Sequence, residues 1–264
     1  MSTTSPTSTT DWTPQPGGAP WLSQVRAQAS MEARLMLRNG EQLLLAVVIP
    51  VIVLVGAVMG ADRVDLELTG RAIDVFTPGV LALAVMSTAF TSLAIATGFE
   101  RRYGVIKRLG TSPLPRSGLL AGKVGALVAV EALQAAVISA VALAMGWDPA
   151  GGVGAVLGTL LAVLLGTAAF AALGLFLAGS LRAEATLAAA NLVYLLLMAG
   201  GAVVLPASAY GSFGDVVQWL PSGALGGAMR DALIDGVVAP VALLTLAGWA
   251  VVGTVLTART FKWE

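Results

Sequence analysis

Six long apolar stretches divide this chain, separated by short polar segments whose charge changes character from one to the next. They run Leu43–Gly60, Phe76–Phe99, Gly118–Met145, Val153–Gly179, Thr186–Leu205 and Val238–Thr257. A helix of about 20 residues crosses the roughly 30 Å hydrocarbon core of a bilayer. Each stretch is about that long or longer. Helices apolar on most faces need lipid or other helices around them. The pattern predicts an all-α, polytopic membrane protein with six transmembrane helices.

Two flanking patterns add elements. Trp21–Asn39 reads as an interfacial helix before the first span. Leu22, Val25, Ala29, Ala33 and Met36 share one face, Arg34 and Arg38 lie on the other side, and Trp21 suits the headgroup level. The alternative is a cytosolic helix packed on a soluble partner. The segment 206–237 reads as two short extracellular helices. Asp215 would cap the first, through Leu220. Pro221 would start the second, through about Ile234, and Gly236 would end it. Its apolar residues suit helices that re-enter the membrane, and the alternative is a pair lying flat on the surface. Residues 1–20 are rich in Ser, Thr, Pro and Gly and lack a signal peptide's basic and apolar regions. They read as a disordered cytoplasmic tail ahead of a six-span domain at 21–264, with insertion beginning at a retained helix.

Charge orients the spans. With the N-terminus inside, twelve of the fifteen Lys and Arg residues fall on the cytoplasmic side, and only Arg63, Arg71 and Arg230 lie opposite. This bias predicts that both termini are cytoplasmic. Composition narrows the chemistry. The chain is 57% hydrophobic and 11% charged with no formal net charge, and its mean hydropathy is +0.85. Ordinary soluble domains carry about 25% charged residues. There is no Cys and no His, so thiolate and imidazole metal sites, iron–sulfur clusters and His-based triads are excluded.

Two nucleotide-like motifs fail. GLLAGKV at Gly118–Val124 has one residue too few between its glycines, and Val124 stands where a phosphate loop needs Ser or Thr for Mg²⁺. GGVGAVLG at Gly151–Gly158 lacks the dinucleotide spacing and opens a membrane span. No cofactor is expected in this chain.

The loop at 100–117 is too patterned for a tether. Arg101, Arg102, Lys107 and Arg108 bracket Val105, Ile106 and Leu109, which form an apolar patch on a short helix. Pro113 and Pro115 end that helix and re-aim the chain. Such a helix, held parallel to the membrane, can receive a push from a partner. A plain positively charged anchor would explain the arginines but not the glycine, the prolines or the apolar patch. Glu100, Arg101, Gly104, Leu109, Thr111, Pro113 and Lys123 fit an E-R-x-x-G-x-x-x-x-L-x-T-x-P…G-K pattern. It resembles the intracellular loop of ABC transporter permeases of type 2, particularly drug-efflux membrane subunits similar to the daunorubicin exporter. The resemblance covers nearly the whole chain. It implies a plasma-membrane permease that pairs with a second permease copy or a related permease. Two separately encoded ATP-binding-cassette ATPases would carry the ATP and Mg²⁺ and drive it. Glu100, Arg101, Gly104, Val105, Ile106, Lys107, Leu109 and Pro113 would then form the coupling element. Multidrug efflux and antibiotic resistance are roles the resemblance implies. The cargo would be a drug, a lipid or a lipid-linked saccharide.

Polar residues inside the spans supply pathway candidates. In the second span Ser87, Thr88, Thr91 and Ser92 make a polar stripe. In the fifth, Asn191 and Tyr194 share a face. Glu131, the one carboxylate deep in a span, has Gln134 one turn on. An interhelical hydrogen bond is the favoured reading for Glu131, ahead of a cargo or proton site. Lys123, near the membrane edge, reads as a snorkelling anchor. The rival function is a channel or secondary transporter, which calls for inverted repeats and paired intramembrane charges. The sequence shows no matching halves.

Overall fold

The computed structural model describes residues 19–38, 40–64, 70–109 and 115–260. It is helical throughout, with no strand among the described residues. The helices are α1 (Trp21–Arg38), α2 (Gly40–Val64), α3 (Ala72–Met86), α4 (Leu93–Arg102), α5 (Val105–Leu109), α6 (Arg116–Ala144) and α7 (Val153–Ser180). They continue as α8 (Ala183–Gly200), α9 (Gly214–Val217), α10 (Pro221–Leu233) and α11 (Pro240–Thr260). A π-helical turn, Ser87–Ser92, joins α3 to α4, and a 3-10 segment, Ala207–Phe213, precedes α9.

Five helices are long and apolar enough to cross a membrane: Ala72–Arg102, Ser117–Ala144, Val153–Ser180, Ala183–Gly200 and Pro240–Thr260. A shorter apolar helix, Ala46–Ala61, lies within α2. The α3–α4 rod is the centre of the bundle. It is 72% buried over its most apolar window, against 17% for α8 and α11. Phe76, Val80, Leu83 and Met86 on this rod pack with Phe170, Leu225, Met229 and Leu246 in one core.

Small residues set the close crossings. A Cβ on Gly253 of α11 would lie 2.9 Å from the Ala172 Cβ of α7, and Thr257 donates to the Ala172 carbonyl at 2.9 Å. A Cβ on Gly158 of α7 would lie 2.8 Å from Ala232 of α10. Hence GGVGAVLG serves packing, and GLLAGKV lies inside α6 as regular helix, where it cannot cradle a phosphate.

Three elements differ from expectation. The fifth apolar stretch runs to Leu205, but α8 ends at Gly200 and residues 201–205 run as bent, irregular backbone. The face of α1 turned into the protein is centred on buried Gln28, while Leu22 is 55% exposed and Trp21 and Leu35 are also exposed. The predicted apolar stripe is therefore only half of what buries this helix. The second of the paired far-end helices begins at Pro221 as expected. In place of the first, which Asp215 was to cap, stand the 3-10 segment and four-residue α9, with Phe213 in the cap position and no side-chain cap bond.

Candidate coupling surface and transport pathway

The basic residues gather at one end. There α4 ends at Arg102, the chain turns at Tyr103 and Gly104, and α5 follows for five residues. Gly104 has φ +69, a conformation in which a side chain is strained, so the turn needs glycine. Val105, Lys107 and Tyr103 are exposed on the outer surface. Tyr103 stacks on Phe99 with ring centroids 6.1 Å apart, and the Arg102 guanidinium lies 5.8 Å above the Tyr103 ring. Arg108 donates to the Tyr103 carbonyl at 3.3 Å. The side chains of Ile106 and Leu109, and Pro113 altogether, lie outside the described residues.

Two sets of contacts hold this turn. Arg101 donates to the carbonyls of Ala178 and Leu181, and Arg102 pairs with Glu184. Both reach the α7–α8 connection. The arginines are therefore engaged with the chain itself rather than left to headgroups, and the Arg182 loop is part of the same surface. On the other side, Lys123 Nζ of α6 donates to Glu100 Oε1 of α4 at 2.7 Å and to Glu32 Oε1 of α1 at 3.0 Å. Gln28 Nε2 donates to the same Glu32 oxygen at 2.9 Å. Lys123 is buried, which corrects its reading as a snorkelling anchor. Gly122 and Gly125 make room for this docking: a Cβ on Gly122 would lie 2.5 Å from Gln28, and one on Gly125 would lie 3.2 Å from Ala29. A cavity of about 210 Å³ lies under α1, lined in part by Glu32, Ser92, Glu100 and Lys123. Glu32 was missed in the sequence because nothing local pairs it with a lysine ninety residues away.

The intramembrane candidates separate into two groups. Gln134 is fully buried. Its Nε2 donates to the Ala46 carbonyl at 2.8 Å and its Oε1 accepts from Thr88 at 2.9 Å. Pro50 in α2 has no N–H to give the carbonyl four residues back, which is that of Ala46. Gln134 thus fills a vacancy that proline creates, as apolar surroundings require. Glu131 Oε2 accepts from Thr167 of α7 at 2.7 Å. Glu131, Gln134 and Thr88 therefore lie inside the bundle as interhelical links. The second group is more open. Ser87, Thr91 and Tyr194 are half-buried and Asn191 is exposed. Tyr194 interacts with Ser87, bringing α8 to the π-helical turn. That turn carries the whole predicted polar stripe. It is braced by Phe170 against Phe90, with centroids 6.3 Å apart, and by Gly174, where a Cβ would lie 2.8 Å from the Phe90 carbonyl. Such turns interrupt helices most often at functional positions.

The family model described as "ABC2_membrane: ABC-2 type transporter" matches residues 23–231, which include the Glu100–Leu109 turn and every pathway candidate. The chain belongs to the ABC-2 type transporter family. It is the membrane subunit of an ABC-type exporter, a transport subunit. No curated protein matches the chain. In this ABC-2 subunit, the matched region includes both the turn at the basic end and the polar residues of the π-helical turn that face α8.

Proposed function

We propose that the chain is the plasma-membrane permease of an exporter for a hydrophobic or amphipathic solute, driven by ATP-binding-cassette ATPases on separate chains. The observation that carries this reading is the turn at Tyr103–Leu109. Its Tyr103, Val105 and Lys107 are exposed, and Glu100, Arg101 and Arg102 just before it are held on one side to the α7–α8 connection and on the other, through Lys123, to α1. A push on α5 would reach α4, α6, α7 and α1 through named bonds rather than through a loose loop. In this reading α2 completes a set of six spans and both termini are cytoplasmic. Helix α1 lies at the interface, since its exposed Trp21, Leu22, Met31 and Leu35 suit lipid.

The cargo path in this proposal runs along Ser87, Thr91, Asn191 and Tyr194, on the face of α8 that the chain itself leaves open. A second permease copy, or a related permease, would close that path from the other side. The mixed polar and apolar face suits an amphipathic drug, lipid or lipid-linked saccharide of the drug-efflux class. The direct test is reconstitution. The chain purified alone should show no saturable ATP hydrolysis, and with its ATPase it should co-purify and turn over ATP in a cargo-dependent way. Saturable hydrolysis by the isolated chain, with contaminants excluded, would contradict the reading.

A further inference from the structure

The end of α8 is built around one arginine. From Gly201 to Leu205 the backbone is irregular, yet Gly201, Ala202 and Val203 are buried. Main-chain carbonyls in such a place need donors from elsewhere. Ser222 Oγ donates to the Gly201 carbonyl at 2.8 Å. Arg230 of α10 supplies the rest: Nη1 to Ala202 at 3.4 Å, and Nη2 to Val203 at 2.7 Å and to Val204 at 2.6 Å. Arg230 is 8% exposed, and among the described residues its hydrogen-bond partners are these carbonyls, with no carboxylate bonded to it. Its positive charge also complements the negative end of the α8 dipole.

Glycines on both flanks make the seat. A Cβ on Gly79 of α3 would lie 2.6 Å from the Val204 oxygen and 2.8 Å from Nη2. One on Gly226 of α10 would lie 2.7 Å from the Val203 oxygen and 3.0 Å from Nη1. The clamp therefore gathers α3, α8 and α10 at one point. Two features distinguish it from a permanent weld. Arg230 Nε is buried without a partner among the described residues, and Ala202 sits at φ +54, a strained conformation for a residue with a side chain. Both costs fall away if the segment swings out and water enters.

We propose that Arg230 is a latch on the far end of the permease, holding the Gly201–Leu205 segment closed against α10 and α3, and that transport requires its release. The placement of this end outside the cell rests on the proposed topology; the latch itself does not. The chain has no cysteine, so single cysteines can report the seal. Val203→Cys is the probe, since Val203 is fully buried. Phe213→Cys, at a position 72% exposed, reports which side the far end faces, and Leu127→Cys, at a position 2% exposed in the other half, reports whether the fold is intact. Each is treated with a membrane-impermeant maleimide in intact cells and in inside-out vesicles.

With Arg230 in place, Val203→Cys should react slowly. Arg230→Gln should speed that reaction about tenfold or more, because a lost charge-assisted hydrogen bond shifts an opening equilibrium by that order. Arg230→Lys should fall between, keeping the charge but not the fork. Gly79→Ala, which keeps Arg230 but crowds its Nη2 and the Val204 carbonyl, should also raise the rate. Leu127→Cys should stay unreactive throughout. If Arg230→Gln exposes Leu127→Cys as well, the comparison is read in Arg230→Lys and Gly79→Ala. Unchanged labelling of Val203→Cys in the variants that keep Leu127→Cys protected overturns the latch. Labelling of Phe213→Cys only in inside-out vesicles overturns the topology instead, and the latch is then read from that side.

Discussion

Both ends of this bundle set an arginine on main-chain carbonyls, but part-buried Arg101 has an exposed ion pair beside it and Arg230 does not. At the basic end, Arg101 reaches the carbonyls of Ala178 and Leu181 while its neighbour Arg102 pairs with Glu184 in the open. The side chains of that ion pair are 49% and 63% exposed, so salt and water screen it. At the far end, Arg230 is buried, and its bonded partners are carbonyls of irregular backbone. The first arrangement sits beside α5, whose Val105, Lys107 and Arg108 are exposed, where the proposed ATPase would dock. The second is enclosed, as suits a point that must stay shut until a large movement opens it. What separates the two is not residue type but the water and the countercharge around it.

The largest effect should come from the ion cluster around buried Lys123 at the basic end. Lys123→Met would leave Glu32 and Glu100 facing each other without their shared cation. A loss of about 3 kcal/mol is expected on breaking a buried pair, read as a lowered unfolding midpoint in detergent. A negligible loss would show that water already compensates this cluster. At the far end, Gly79→Ala drives a methyl group toward the Val204 carbonyl and should cost about 1–3 kcal/mol by overpacking. A smaller effect is expected from Gln134→Leu, which strips the Ala46 carbonyl and Thr88 of their partner. Hydrogen bonds between membrane helices average roughly 0.6 kcal/mol, reaching about 1.7 kcal/mol, so a drop of about 1 kcal/mol is expected. The smallest should be Arg102→Ala, at most about 1 kcal/mol and vanishing at high salt. A salt-insensitive loss there would erase the contrast between the two ends.

Much of the architecture was legible because apolar length is a strong signal in a membrane chain. Five of the apolar stretches coincide with helices long enough to cross, and Pro221 opens α10 where proline is expected to begin a helix. Hydropathy could not show that the fifth stretch stops being helical at Gly200. Buried irregular backbone and buried helix carry the same apolar residues, and the donor that makes the difference is Arg230, near the other end of a separate helix. The same limit hid the Glu32–Lys123–Glu100 cluster, whose members lie on three helices. A local cue did exist for Arg230: with Asp231 it is one of two charged residues in Pro221–Leu233, a run otherwise small or apolar. The polar stripe at Ser87–Ser92 was visible as composition, but its π-helical form depends on packing against Gly174 and Phe170, which sequence spacing does not reveal.

In the proposed reading, the turn at Glu100–Leu109 receives the ATPase. This docking is tested most directly by replacing Val105 and Ile106 together with Asp and comparing the variant with the unaltered chain at matched membrane levels. Asp215→Asn at the exposed far end serves as the control. Arg182→Ala cannot, because Arg101 and Arg102 bind the connection in which Arg182 lies. Buried, unpaired carboxylates in a protein contact are costly. Insertion should be normal, with a clear fall in both ATPase co-purification and cargo-stimulated ATP turnover, and no change in the control. Unchanged co-purification and turnover in the double variant would contradict this docking and leave the loop as a positively charged anchor.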